Sequence, residues 1–430
     1  MNRDNSHGCS RRLALAAAIW LIAAVLLQAA SLPKAKPAEV GLSAERLDRL
    51  TRVMQEYIDT GRIAGMVTLV ARDGRVAYLR PFGKLDLRGA AMPADGIFRI
   101  ASQTKAVTSV AVMILQEEGK LLIDDPVARY IPEFANARIA VPSAEKKAKG
   151  YTTVPAKRPI TIRDLLTHTA GISYGDGPAK DEYIAAGIHG WFLADKAVPI
   201  GEIVKKLVTL PFDAQPGEKW VYGYNTDILG YLVERVSGMT LAEFFAQKIT
   251  GPLGMADTQF FLPQDKLSRF TSVCGVDEKG GLKLMEDARD NSYVKGPRVC
   301  YAGGAGLLCT AEDYGRFLLM LQGGGELGGV RVLSPKSVEL MTVDHVGNLY
   351  GSGGFGLGFW VTDRLGRNGQ PGSVGSFGWG GAYHTTYWVD PAEKLVAVLM
   401  TQLMPAGNSD LHAKFRAMVY QSIVDSYEKR

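Results

Sequence analysis

Apolar residues first recur at helical spacing in Leu47, Leu50, Val53, Met54 and Ile58, with Ser43 placed to cap the start, which predicts a helix over about 43–58. Two strands follow, Gly65-Met66-Val67-Thr68-Leu69-Val70 and Val76-Ala77-Tyr78-Leu79, around an Asp73-Gly74 pair suited to a hairpin turn. Val107, Val110, Ala111, Ile114 and Leu115 mark a second helix from Ser102 to about Glu118, with Gly119 placed as a left-handed cap. The middle of the chain is richer in helix signals. Thr161 with Asp164 and Thr240 with Glu243 have capping-box spacing, whereas 134–158 reads as a surface loop rich in Lys, Pro and Ala. After Gly303 the pattern returns to that of the beginning: a helix from Ala311 to Leu321, Gly-rich turns, and strands at Ala382 to Val389 and Leu395 to Thr401. A closing amphipathic helix spans about Asp410 to Tyr427. Strands at both ends with helices between predict one antiparallel sheet built from both termini, a mainly helical inserted region, and a site between the two.

At 430 residues, 47% hydrophobic and 22% charged, the chain can bury one large or two interlocked domains. Its net charge of +5 is spread thinly, and the densest basic stretch, Lys146-Lys147-Ala148-Lys149, reads as a solvated loop, so a nucleic-acid partner is not expected. Arg3, Arg11 and Arg12 precede an apolar run from Leu13 to about Ala30 and the Pro-broken stretch Ser31 to Pro37. That is the plan of an export signal over residues 1–31, long enough to remain as a membrane anchor if uncleaved. The expected location is periplasmic or secreted. Ser10-Arg11-Arg12-Leu13 has only a weak twin-arginine character and reads better as an ordinary positive n-region. With Cys9 inside the signal, Cys274, Cys300 and Cys309 permit one disulfide at most. Neither they nor the six scattered histidines have metal-ligand spacing, and no cofactor is implied.

The chemistry begins at Ser102-Gln103-Thr104-Lys105, where a hydroxyl and an amine stand one helical turn apart. An amine in that place can help remove the serine proton, and a helix N-terminus favours negative charge developing on an attacked carbonyl. In Trp220-Val221-Tyr222-Gly223-Tyr224-Asn225, tyrosines stand on a turn just before a helix, and a phenol near an ammonium can act as a base. Gly378-Trp379-Gly380-Gly381-Ala382 leads into a strand whose free N–H groups can complete an oxyanion site. Gly171-Ile172-Ser173-Tyr174-Gly175 matches the nucleophile elbow G-x-S-x-G, yet a capped helix stands before it and Asp176-Gly177-Pro178 breaks the chain after it, which argues against Ser173. His168 reads as structural, its ring satisfying nearby backbone groups. His384 fits a pocket wall or the surface equally.

Together the three segments resemble the serine β-lactamase and penicillin-binding protein superfamily, most closely its class C-like branch with the family VIII carboxylesterases, over about residues 40–420. The S-x-x-K motif is Ser102 to Lys105, the tyrosine motif is Tyr222-Gly223-Tyr224, and the esterase W-G-G is Trp379-Gly380-Gly381. Leu165-Leu166-Thr167-His168-Thr169-Ala170-Gly171, Pro252-Leu253-Gly254-Met255 and Gly303-Gly304-Ala305-Gly306-Leu307 are similar to family segments too. The resemblance implies an α+β / α/β, β-lactamase-like fold over 38–428, with sheet regions at about 40–100 and 303–428 and a helical region at about 120–300. It implies Ser102 as acylated nucleophile, Lys105 as its proton partner and Tyr222 as base or proton shuttle. The N–H groups of Ser102 and Ala382 would form the oxyanion hole, with Trp379, Gly380, Gly381 and Tyr224 at the substrate. Tyr222 is preferred to Tyr224 for its distance from Leu229-Gly230. Two departures bear on the substrate: Trp379 replaces the lysine of K-T-G, and Tyr224 replaces the asparagine of Y-x-N, with Asn225 one position late. Both favour a carboxylesterase on small neutral acyl esters over the alternatives, a β-lactamase or D-amino-acid peptidase or amidase, or a slowly deacylating penicillin-binding sensor. The expected partner is thus a small-molecule ester or amide, with membrane contact only through the N-terminal segment.

Overall fold

The computed structural model describes residues 31–143, 150–367 and 369–427. The expected export segment, Cys9 and the basic loop at Lys146 lie outside these residues. Helix α1 (Ala44–Asp59) begins at Ser43, whose Oγ accepts from Arg46 N at 3.3 Å, and it buries Leu47, Leu50, Met54 and Tyr57. Strands β1 (Gly65–Arg72) and β2 (Arg75–Gly83) are joined through Asp73 and Gly74, at φ 54° and 72°, the left-handed pair that a two-residue hairpin needs. Helix α2 (Thr104–Glu117) is buried from Thr104 to Leu115 and closes at Gly119, φ 69°. It starts two residues later than expected. Ala101–Gln103 forms a separate 3-10 turn that delivers Ser102 to the helix.

The region read as a loop at 134–158 contains a hairpin instead, β3 (Arg138–Pro142) paired antiparallel with β4 (Tyr151–Pro155). Ile139, Ala140 and Tyr151 are buried there, but the run is too short and too broken by proline to show a period. Helices α3 (Ile162–Leu166), α4 (Ile200–Val208), α5 (Asn225–Ser237) and α6 (Leu241–Phe245) follow. Both expected capping boxes form: Thr161 Oγ1 accepts from Asp164 N at 3.1 Å and Thr240 Oγ1 from Glu243 N at 3.2 Å. Helix α5 packs along α2.

The last third supplies α7 (Ala311–Gln322), β5 (Gly354–Phe355), β6 (Trp360–Val361), β7 (Phe377–Gly381), β8 (Thr385–Asp390), β9 (Leu395–Thr401) and α8 (Leu411–Tyr420). The main sheet is antiparallel throughout, in the order β5-β6-β7-β8-β9-β1-β2. Val67 and Leu69 face the core with α2 and α7, and Met66 and Val70 face α1 and α8. Burial on both faces explains why β1 from Met66 to Ala71 is apolar but for Thr68. The architecture is the expected α+β one, a sheet from both ends of the chain flanked by helices with a mainly helical region between. Two boundaries differ from expectation. Residue 382 lies not in a strand but in the turn between β7 and β8, where His384, at φ 66°, donates its N–H to Gly381 O at 2.9 Å. The closing helix stops at Tyr420, because Val424 N reaches Gly41 O at 3.0 Å and draws the chain back toward the N-terminal segment.

The two ends are also fastened by one side chain. Arg72, fully buried, pairs with Glu393 at 2.5 Å and donates to the carbonyls of Val40 and Gly41 at 3.0 Å and of Asp425 at 2.7 Å. Cys274, Cys300 and Cys309 are buried free thiols.

Candidate active site

Ser102 is half-buried and comes directly after Ala101, a non-glycine residue held at φ 42°, the kind of backbone strain that persists only where the surroundings impose it. Lys105, one turn on and 1% exposed, directs Nζ to Ser102 Oγ at 3.3 Å, Tyr174 Oη at 3.0 Å and Gly304 O at 2.8 Å. The same Nζ lies 4.6 Å from the centre of the Tyr222 ring. Tyr222 Oη in turn accepts a hydrogen bond from Trp379 Nε1 at 3.2 Å. So the tryptophan at the third-motif position brings a neutral N–H donor to the tyrosine where a lysine would bring a charge.

Local folding explains this convergence. Gly223 lets the tyrosine turn lie against the backbone of Ile172 and Ser173; a Cβ there would stand 2.3 Å from Ser173 C. Likewise a Cβ on Gly381 would stand 2.3 Å from Ile100 O and 2.4 Å from Thr385 Oγ1, so only glycine allows β7 to approach the turn carrying Ser102. Strand β6 pairs only with Phe377 and Gly378, leaving Trp379 to Gly381 unpaired on that side.

Ser102, Tyr222, Trp379, Gly380, Gly381 and Ala382 line one cavity of about 460 Å³, closed further by Tyr174, Trp191, Trp360, Thr385, Thr386 and His412. No carboxylate or ammonium is among these side chains. A second cavity of about 460 Å³, at Pro126, Phe134, Arg138 and Arg158, holds none of the groups named above.

Several sequence expectations need correction. Tyr224 is not at the substrate cavity: it is 1% exposed and its hydroxyl donates to the carbonyls of Ile188 and Gly190, fastening that loop. Asn225 also points inward, donating to Ile172 O and Val221 O at 3.1 Å and to His168 Nδ1 at 3.0 Å. His168 therefore has a side-chain partner rather than a backbone one. It sits at φ 58°, packs 4.8 Å from the Tyr222 ring, and is held neutral by burial, with the Lys105 charge adding to that effect. Ser173 is buried and its Oγ accepts from Gly175 N at 3.0 Å, a turn role without access to the cavity.

Two residues of the site escaped the sequence reading. Tyr174, whose burial raises its phenol well above the ordinary value, with Tyr222, Asp227 and Tyr224 adding to the effect, touches Lys105 directly. Its signal is a second phenol, at the start of a pocket loop from Tyr174 to Val198 whose course the sequence does not predict. Asp227, in the first turn of α5, accepts from Gly304 N at 2.9 Å, while the carbonyl of Gly304 accepts from Lys105. Burial pushes its carboxyl up to about 6, against the lowering pull of Lys105 and the Gly304 N–H. The arrangement brings a hydroxyl, an amine, two phenols and a backbone turn together in one place.

Residues 50–421 match the beta-lactamase family. The chain is 35% identical over 381 residues to Protein Rv1367c of Mycobacterium tuberculosis (strain ATCC 25618 / H37Rv), covering 84% of this chain and 90% of that protein. It is 30% identical over 382 residues to Esterase EstB of Burkholderia gladioli, covering 84% and 91% respectively. Among solved structures it is similar to EstCE1, a hydrolase with promiscuous acyltransferase activity, with a TM-score of 0.75 at 28% identity, over 87% of this chain and 98% of that one. On the match to its sequence and the likeness of its fold, the chain belongs to the beta-lactamase family and is a serine hydrolase.

Proposed function

We propose that the protein is a carboxylesterase that cleaves small neutral esters through an acyl-enzyme on Ser102. The observation that carries this reading is the cavity itself: Ser102 opens into a wall of aromatic and small residues without a charged side chain, and Trp379 stands where an anion-binding lysine would. Ser102 Oγ attacks the ester carbonyl and its proton passes to Lys105 and Tyr222 beside it. The N–H groups of Ser102 and Ala382 receive the oxyanion, and the pair returns the proton to the leaving alkoxide. Water then loses a proton to the same side chains and attacks the acyl carbon, the Ser102 Oγ–acyl bond breaks, and Ser102 Oγ takes the proton back as the acid leaves.

The test compares p-nitrophenyl butyrate with a chromogenic cephalosporin on wild type and Ser102→Ala. Ester turnover faster than cephalosporin turnover, abolished in the variant, is expected. Faster cephalosporin consumption, or activity surviving in Ser102→Ala, overturns the reading. Intact-mass spectrometry after ester addition should show only a transient adduct, whereas a persistent one marks a sensor.

A further inference from the structure

His412 is a polar group on the cavity wall with no task in that reaction. It stands on α8 and lines the cavity beside Trp360, Trp379 and Thr386. Its Nε2 lies 3.0 Å from the carbonyl oxygen of His384. A carbonyl oxygen only accepts, so Nε2 carries the ring hydrogen and Nδ1 carries the lone pair. The ring is also held in place. It stacks on the His384 imidazole with centroids 4.0 Å apart and planes at 17°, and His384 Nε2 is in turn 2.9 Å from Ser409 Oγ. Burial holds both imidazoles below the ordinary range, His384 at about 3 with the His412 ring adding to the effect, so the pair is neutral in neutral buffer.

Nδ1 has no hydrogen-bond partner among the described residues, and it is not one of the enclosed polar atoms. It is therefore an unpaired acceptor with some exposure on a residue that lines the cavity. The neighbouring Thr386 hydroxyl gives its hydrogen to Trp379 O at 3.4 Å and keeps only lone pairs on a freely rotating group, and the tryptophans offer only donors and apolar faces. A fixed ring acceptor on a wall otherwise made of aromatic and small residues matches a donor on the bound molecule, since a site built to hydrogen-bond a hydroxyl discriminates against the analogue lacking it.

We propose that His412 is a specificity-determining residue that accepts a hydrogen bond from a hydroxyl on the substrate, so that hydroxyl-bearing esters are preferred to their alkyl counterparts. This rests on the reading of Ser102 as the centre of an esterase. The hydroxyl belongs to either the acyl chain or the alcohol portion, and the test separates the two. The ratio of kcat/KM is measured for ethyl 3-hydroxybutyrate over ethyl butyrate, and for 2-hydroxyethyl butyrate over ethyl butyrate, on wild type, His412→Leu and His412→Gln. The glutamine amide can keep donating to His384 O without placing an acceptor at the Nδ1 position. Wild type is expected to favour one hydroxylated ester about tenfold, the scale of one neutral hydrogen bond, and both variants to bring that ratio close to one. The arm that shows the preference assigns the hydroxyl to acyl chain or alcohol. No preference in wild type, or a preference that survives both variants while all esters slow together, overturns the proposal. If wild type turns over none of the three esters, the esterase reading has failed and the proposal falls with it.

Discussion

Behind Lys105 lies Asp227, linked to it through the N–H and the carbonyl of one residue, Gly304. With its carboxyl raised to about 6, Asp227 is neutral below that pH and charged above it. Under the proposed mechanism the charged form balances Lys105, so kcat/KM on an ester should fall on the acid side with a midpoint near 6, and Asp227→Asn should remove that limb from the pH profile. A limb unchanged in the variant would assign it to another group; His168, held neutral, does not supply it. The sign for stability is the opposite. A carboxyl whose folded pKa exceeds its unfolded value of 3.8 stabilises the fold at low pH, and that contribution is lost as pH rises from about 4 through about 6. Two units correspond to roughly 3 kcal/mol, which urea titrations of wild type and Asp227→Asn across that window should show as a changing difference. Ser102 and Lys105 were legible in the sequence because one helical turn joins them. Tyr174 and Asp227 were not, since only the fold carries them to Lys105 from 69 and 122 residues away.

Strand β7 decides the site at the scale of elements, because it runs past β6 and lays Trp379 to Gly381 against the Ser102 turn. A methyl group on Gly381 must displace either Ile100 or the turn that presents Ala382. Gly381→Ala is therefore expected to lower kcat on esters by roughly 10²–10³-fold, the scale of losing one oxyanion donor. A variant within threefold of wild type would show that this close approach does not matter for turnover. Elements with strong local signals were readable: α1 from its cap and stripe, the β1–β2 hairpin from Asp73-Gly74, the capping boxes from their spacing. The start of β8 and the end of α8 were not. His384 adopts a left-handed conformation that nothing in its neighbours announces, and the chain leaves its helical course after Tyr420 for partners near Gly41 and Arg72.

Across the whole molecule, Arg72 gathers the N-terminal turn, the β8–β9 connection and the C-terminal tail around one guanidinium. Arg72→Met would leave the Glu393 carboxylate, 5% exposed, without its partner, at an expected cost of 3–5 kcal/mol, on the order typical for breaking a buried pair. Urea denaturation measures it, and kcat/KM of the folded variant should stay near wild type because Arg72 is remote from the cavity lining. A loss under about 1 kcal/mol would mean that the carbonyl contacts, not the ion pair, hold the ends together. The return of strand pattern after Gly303 foretold a sheet shared by both ends, although not its order. That order also has a temporal meaning. Strand β1 pairs residues 66–72 with residues 395–401, so an apolar strand stays bare on one side until a segment about 320 residues further along has been synthesised. Until then β1 presents an open apolar edge, the kind of edge through which separate chains pair with one another.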